Sequence, residues 1–148
     1  MAHIRRILCA SDLSAASRRA LAMAVTLAKA NHAALTVLHV REPVMPAIPE
    51  LYIASTSWEQ IDRKAQAWAR RQLHALVQKA KTQRVRATAR LIEGTAADQI
   101  VRVARSTKAD LLVVGTHGRS GFSKFFLGSV AQRVVAMAPC PVVTVRGA

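Results

Sequence analysis

Acidic side chains, cysteines, aromatics and long apolar runs are all scarce in this chain, and each shortage closes off a class of protein. No apolar stretch reaches the roughly 18 residues of a membrane-spanning helix. The opening Met1-Ala2-His3-Ile4-Arg5-Arg6 leads straight into a strand pattern, without the roughly 7–15-residue apolar core of a secretory signal. The expectation is a cytoplasmic protein. The two cysteines, Cys9 and Cys140, lie in or beside apolar runs and show no CxxC or Cys/His spacing. That excludes a disulfide scaffold and a zinc site and leaves two free thiols. Aromatics are 4% of residues, so the core must be aliphatic. They do not interleave with basic residues, as a platform for single-stranded nucleic acid requires.

Eight acids against 22 lysines and arginines give a net charge of +14. Such a balance raises the question of a nucleic-acid partner. The cations are spread, however, in pairs such as Arg5-Arg6, Arg18-Arg19, Arg63-Lys64 and Arg70-Arg71, with no basic tail. The spread predicts a generally basic surface rather than a nucleic-acid site, and it leaves a polyanion partner open.

What is present is apolar periodicity. The length of 148 residues predicts one domain over 1–148, able to bury roughly 70% of its unfolded surface. His3 to Ala10 reads as a first strand. Ser14 reads as the N-cap of a helix to about Ala30, with Leu21, Val25 and Ala28 inward and Arg18 and Arg19 outward. Ala34 to Val40 reads as a second strand, followed by the proline-rich PVMPAIPE loop. A long helix spans about Ser57 to Thr82. Trp58, Ile61, Ala65, Trp68, Leu73, Leu76 and Val77 mark its apolar side. Val85 to Ile92 is a third strand. Gly94 turns the chain, and Thr95-Ala96-Ala97-Asp98 resembles a capping box for a helix that turns Ile100, Val101, Val103 and Ala104 inward. Ala109 to Gly115 is a fourth strand, Ser129 opens a last helix that Pro139 stops, and Val142 to Val145 is a fifth strand. Alternation of strand and helix predicts an α/β fold, an open parallel sheet with helices on both faces. Ligands of such sheets bind beyond the carboxyl ends of the strands, where strand order reverses.

Two strand ends carry chemistry. Ser11-Asp12-Leu13-Ser14 follows the first strand. Gly115-x-x-Gly118, nine residues and Gly128-Ser129 follow the fourth. Glycines let backbone N–H groups approach an anion, and a helix N-terminus favours negative charge, so the second reads as a phosphate cradle. It is not a dinucleotide fingerprint, because the first turn has no glycine. Neither GxxxxGK[ST] nor GxSxG occurs.

The remaining pattern closely resembles the universal stress protein family, whose ATP-binding members carry G-x2-G-x9-G-[ST]. Every fixed position of that pattern is matched. ILCASDLSAAS, LTVLHV, LIEGTAADQIVRVARSTKADLLVVGTHG and APCPVVTVR resemble further stretches of the family, so the likeness covers essentially the whole chain. It implies an adenine nucleotide alpha hydrolase-like sheet of five parallel strands in the order 3-2-1-4-5. It also implies ATP as the ligand, with Mg²⁺ on its phosphates. By resemblance Asp12 faces the ribose or the metal-bound end, beside Ser11. The Val40 backbone reads the adenine edge. Gly115 and Gly118 pass under the ribose and phosphates, and Gly128, Ser129 and Val130 offer helix N-terminal N–H groups. Asp12 also reads as a plain turn residue, the Gly-Ser as an ordinary helix start. Arg119 suits a phosphate; His117 suits one only when protonated. Trp58 and Trp68 suit core or dimer packing.

The resemblance further implies a homodimer through Val142, Val143, Thr144 and Val145, an edge strand that needs covering. The expected role is regulatory ATP binding in stress response or signalling. A slow ATPase or phosphotransferase is the alternative, since Arg119 to Gly128 holds no carboxylate. The other alternative is a nucleotide-free module that binds protein or polyanion.

Overall fold

The computed structural model describes residues 3–43, 55–116 and 127–147. Strand β1 is Arg6–Ala10, helix α1 Ser17–Asn31, β2 Ala34–Arg41 and α2 Ser55–Thr82. Then follow β3 Ala87–Glu93, α3 Ala96–Ser106, β4 Leu111–Gly115, α4 Ser129–Met137 and β5 Val142–Val145. The sheet has five strands in the order β3-β2-β1-β4-β5, all parallel, as expected. No described helix is long and apolar enough to cross a membrane.

Both faces of the sheet are covered because its central strands are apolar on both sides. Ile7, Cys9, Leu35, Val37, Leu111 and Val113 pack against α1 and the second half of α2. Leu8, Leu38, Leu112 and Val114 pack against α3 and α4 through Ile100, Val103, Ala131 and Val134. Parallel strands buried on both faces read as continuous apolar runs, and Leu111 to Val114 is one. Cys9 lies wholly inside, and burial pushes its thiol pKa up to about 12. Cys140 is half-buried, and burial, helped by Asp110, raises its pKa as well.

Three sequence expectations are corrected. Ser14 does not cap α1, which begins at Ser17 after Ala16. The Ser14 hydroxyl instead donates to Asp12 Oδ1 and accepts the Ser17 N–H at 3.3 Å, so the turn absorbs the residue chosen as cap. The capping box before α3 does not form. Asp98 pairs with Arg133 on α4 at 3.0 Å, and the Ala96 N–H is taken by Glu42 at 3.4 Å. The apolar side of α2 is buried only in its second half. Ala69, Leu73, Val77 and Ala80 are buried, whereas Ile61 is 55% and Trp68 42% exposed. Strand boundaries also shift: β1 and β4 start later than expected and β3 ends one residue later.

Polar contacts at the two ends of the sheet finish the fold. At the carboxyl end, Arg41 is buried and holds Asp62 of α2 through two hydrogen bonds of 2.5 and 3.2 Å; it also holds Glu93 of β3. That guanidinium keeps the Asp62 carboxyl below the usual carboxylate range. At the amino end, Asp110 Oδ2 accepts the N–H groups of Arg5 and Arg6, each at 2.9 Å. Gly94 has φ 143°, and a Cβ there would meet Gln99 at 2.8 Å, so the turn into α3 demands glycine. Leu13, His32, Arg84 and Lys108 are left-handed without being glycine, at a cost of about 1 kcal/mol each.

The Arg5 N–H, ahead of other causes, lowers the Asp110 pKa. A lowered carboxylate pKa contributes stability above its unfolded value and loses it as pH falls through the folded value. Asp110→Asn should therefore cost about 1 kcal/mol at pH 7 in urea unfolding. The variant and the parent should converge as the pH drops below the carboxylate range; a gap constant with pH would contradict this role.

A cleft where the first and fourth strands end

The connections leaving β1 and β4 depart over opposite faces, which opens a cleft beyond their carboxyl ends. It has a volume of about 210 Å³. Ser11 and Asp12 enter it from β1, Leu38 and Val40 from β2, Gly115 and Thr116 from β4. Ala96 and Ile100 of α3 form one wall, and Gly128, Ser129, Val130 and Ala131 form the start of α4. One wall is thus aliphatic and the opposite side is polar. His117, Gly118 and Arg119 lie outside the described residues, as do Phe122, Phe125 and Phe126.

The β1 end is a closed set of short-range hydrogen bonds. The Ser17 hydroxyl donates to the Ser14 carbonyl at 2.7 Å, so at 3.0 Å it must accept from the Ser11 hydroxyl. Ser11 Oγ in turn accepts the Leu13 N–H at 3.1 Å. Asp12 Oδ1 accepts the Ser14 N–H at 2.9 Å and the Ser14 hydroxyl at 2.5 Å. Asp12 therefore is the turn residue that one sequence reading made it, and it lines the cleft as well. Behind it, the Ser11 N–H donates to the Leu38 carbonyl at 2.8 Å. The Ser11 carbonyl is 2.8 Å from His39 Nδ1. A carbonyl only accepts, so Nδ1 carries the proton.

The β4 end is built from main chain. The Thr116 N–H donates to the Val145 carbonyl at 2.9 Å, and the Thr116 carbonyl accepts the Gly128 N–H at 2.7 Å. Here a sequence expectation needs correction, because the Gly128 N–H is spent on Thr116 and is not available to a phosphate. Glycine is needed at 128 for closeness: a Cβ would lie 3.0 Å from the Thr116 oxygen. The Gly128 carbonyl accepts the Gln132 N–H at 2.9 Å, which makes Gly128 the N-cap and Ser129 the first helical residue. Among the described residues no side chain caps this helix start. The first N–H groups of a helix have no intrahelical partner, and here they open on the cleft from Ser129 and Val130, with the positive end of the helix dipole.

Sequence reasoning located Ser11, Asp12, Val40, Gly115, Gly128, Ser129 and Val130, and the fold brings them all to this cleft. It passed over Ser17, Leu38, Ile100 and Thr116. Leu38 and Ile100 are indistinguishable from core in a sequence. Thr116 acts through its backbone, which leaves no mark on residue type. Ser17, three residues past Ser14, was the one with a readable signal.

Comparisons with known proteins agree with this geometry. The Universal stress protein family profile matches residues 3–146. A universal stress protein of Thermus aquaticus is 37% identical over 96% of this chain and 98% of its own length. A solved universal stress protein of Lactobacillus plantarum superimposes with a TM-score of 0.84 at 25% identity, covering 99% of this chain and 100% of that one. Another, solved in complex with cAMP, has a TM-score of 0.72 at 26% identity and covers 98% of each chain. Profile, sequence and fold coincide over nearly the whole length, and the chain belongs to the universal stress protein family.

Proposed function

We propose that this protein binds ATP in the cleft as a regulatory ligand and works as a homodimer. The observation that supports this most is the start of α4 opening on the same cleft as Asp12 and Val40. Leu38, Val40 and Ile100 offer an apolar seat for the base. The Ser129 and Val130 N–H groups offer an anion site for the phosphates. The relative in complex with cAMP makes an adenine nucleotide the first ligand class to test. By their place in the glycine pattern we assign Gly118 and Arg119 to the same phosphate site, with His117 just before them in the sequence.

Among the described residues, no group of three or more His, Cys, Asp or Glu side chains is placed to hold a metal. Mg²⁺ therefore fits this site as a companion of the phosphates, whose charge it would offset. Asp12, the sole carboxylate on the cleft among the described residues, is the side chain to face it. Rapid phosphoryl transfer needs a group to orient the attacking water. Asp12 is a poor candidate, because Ser14 holds its Oδ1 through two hydrogen bonds. The edge strand β5 supports the dimer. Thr144 is exposed, Val142, Val143 and Val145 are half-buried, and α4 beside it exposes Val135 and Met137.

Denaturing the purified protein should release an adenine nucleotide identifiable by chromatography. Gly128→Glu places a side chain against the Thr116 oxygen and a negative charge in the cradle. It should weaken ATP at least about tenfold by calorimetry; unchanged affinity would remove the cradle assignment. Phosphate release under saturating ATP should stay well below about 1 per second, the lower end for kinases. A faster rate would make the protein an enzyme. Sedimentation equilibrium should give twice the 16.0 kDa of one chain, and a monomer at all concentrations would end the dimer proposal.

A further inference from the structure

All five strands run in one direction, and the helices return against them. Every helix therefore ends on the side of the molecule opposite the cleft. There α1 delivers Lys29 and His32, and α3 delivers Arg105 and Lys108. The end of α2 adds Lys79, Lys81 and Arg84, and the chain continues through Arg86 into β3. Arg5 and Arg6 stand at the start of β1. Hydrogen bonds tie these points together: the Arg5 carbonyl accepts the Ala34 N–H and the Arg86 carbonyl accepts the Leu35 N–H, both at 2.8 Å. Arg86 also donates to the His32 carbonyl at 3.3 Å. The cations are all exposed. Ten basic side chains that look scattered along the sequence are gathered in space.

The acids are sorted the other way. Asp12, Glu42, Glu59, Asp62, Glu93 and Asp98 follow strand ends or open helices on the cleft side. Among the described residues Asp110 alone lies at the basic end, where its carboxylate is engaged by the Arg5 and Arg6 N–H groups.

Helix dipoles account for part of this sorting. They favour cations in a last turn, which covers Lys29, Lys79, Lys81 and Arg105. They do not account for the residues just beyond. His32, Arg84 and Lys108 have φ of 53°, 66° and 51°, the left-handed conformation that glycine adopts without strain. Three successive helix ends each carry a basic side chain where glycine is the relaxed choice. Strain repeated at equivalent positions points to a use for the side chain.

We infer that this end of the molecule binds the phosphate backbone of double-stranded nucleic acid without reading its bases. Arginines, five of the cations named, form paired hydrogen bonds to phosphate. The described aromatics, Trp58 and Trp68, lie in the first half of α2, far from this end, so no stacking platform for single strands accompanies the charge. Val135 and Met137 of the last turn of α4 are the large apolar side chains exposed here among the described residues, too few for the apolar face that membrane docking needs. The surface is remote from the cleft, and the inference stands independently of ATP binding.

The test uses a random-sequence DNA duplex, fluorescence anisotropy and a salt series. The parent should bind at about 50 mM salt, with affinity falling steeply as salt rises. Arg84→Gly with Lys108→Gly removes two cations and relieves two strained positions. Its Tm should hold or rise, while duplex affinity falls about tenfold or more and the salt slope flattens by about 2. Arg63→Gln with Lys64→Gln, on the other half of α2, should bind as the parent does, and so should Gly128→Glu. Failure of the parent to bind at low salt overturns the inference. So does unchanged binding by the glycine variant, or binding to phosphatidylglycerol vesicles with none to the duplex.

Discussion

Strand β1 is paired on both sides, with β2 through Arg6 to Ala10 and with β4 through Ile7 to Cys9. Everything functional in this molecule depends on that double pairing. Right-handed crossovers send the chain from β1 to β2 over one face and from β4 to β5 over the other. The first turn and the glycine pattern, about a hundred residues apart, then have no choice but to meet. Between them lies a crevice that no helix covers, because each helix is committed to its own face. The aliphatic interior follows from the same arrangement. A strand such as β4, buried on two sides, has no position for a polar side chain until it leaves the sheet at Thr116.

The order of elements was legible because it rests on periodicity, and periodicity reflects burial of whole segments. The span of β5 was read to the residue, since Pro141 and Arg146 bracket an unbroken β-branched run. The residues of the cleft were legible for a different reason: they match a family pattern. Local polar geometry was not legible. Ser14 has the residue type of a cap, yet α1 begins only at Ser17, and the Ser14 hydroxyl joins Asp12 to the Ser17 N–H in the turn before it. Thr95 and Asp98 fit a capping box on paper, but Arg133, distant in sequence, is the better partner for the acid. The first half of α2 shows the limit of the apolar pattern. Ile61 and Trp68 keep helical spacing with Leu73 and Val77, and nothing in the spacing tells which half meets the sheet.

Charge makes the same point more sharply. Counted along the chain, the cations are merely frequent. Placed on the fold, they divide between two poles, since alternate junctions of a parallel sheet lie at opposite ends. At the acidic pole, where Arg18, Arg19, Arg63, Lys64 and Arg146 also lie, Arg41 is the one buried guanidinium among the described residues, consumed by Asp62 and Glu93. The pole with the cleft is thus not the pole where basic side chains outnumber acids most strongly. At the cleft, the positive end of the α4 dipole is the field an anion would meet among the described residues.

Thr116 joins the edge of the sheet to the start of α4 by two bonds that involve no side chain. Its N–H holds Val145 and its carbonyl holds Gly128. Side-chain replacement along that route leaves both bonds in place, apart from proline at 116 or 128, which lacks the donor, or bulk at 128, which strikes the carbonyl. The route is therefore nearly immune to sequence drift. The edge strand and the start of α4 are thus linked through peptide groups alone. What the sequence must keep along this path is only an N–H at 116 and 128 and the absence of a side chain at 128.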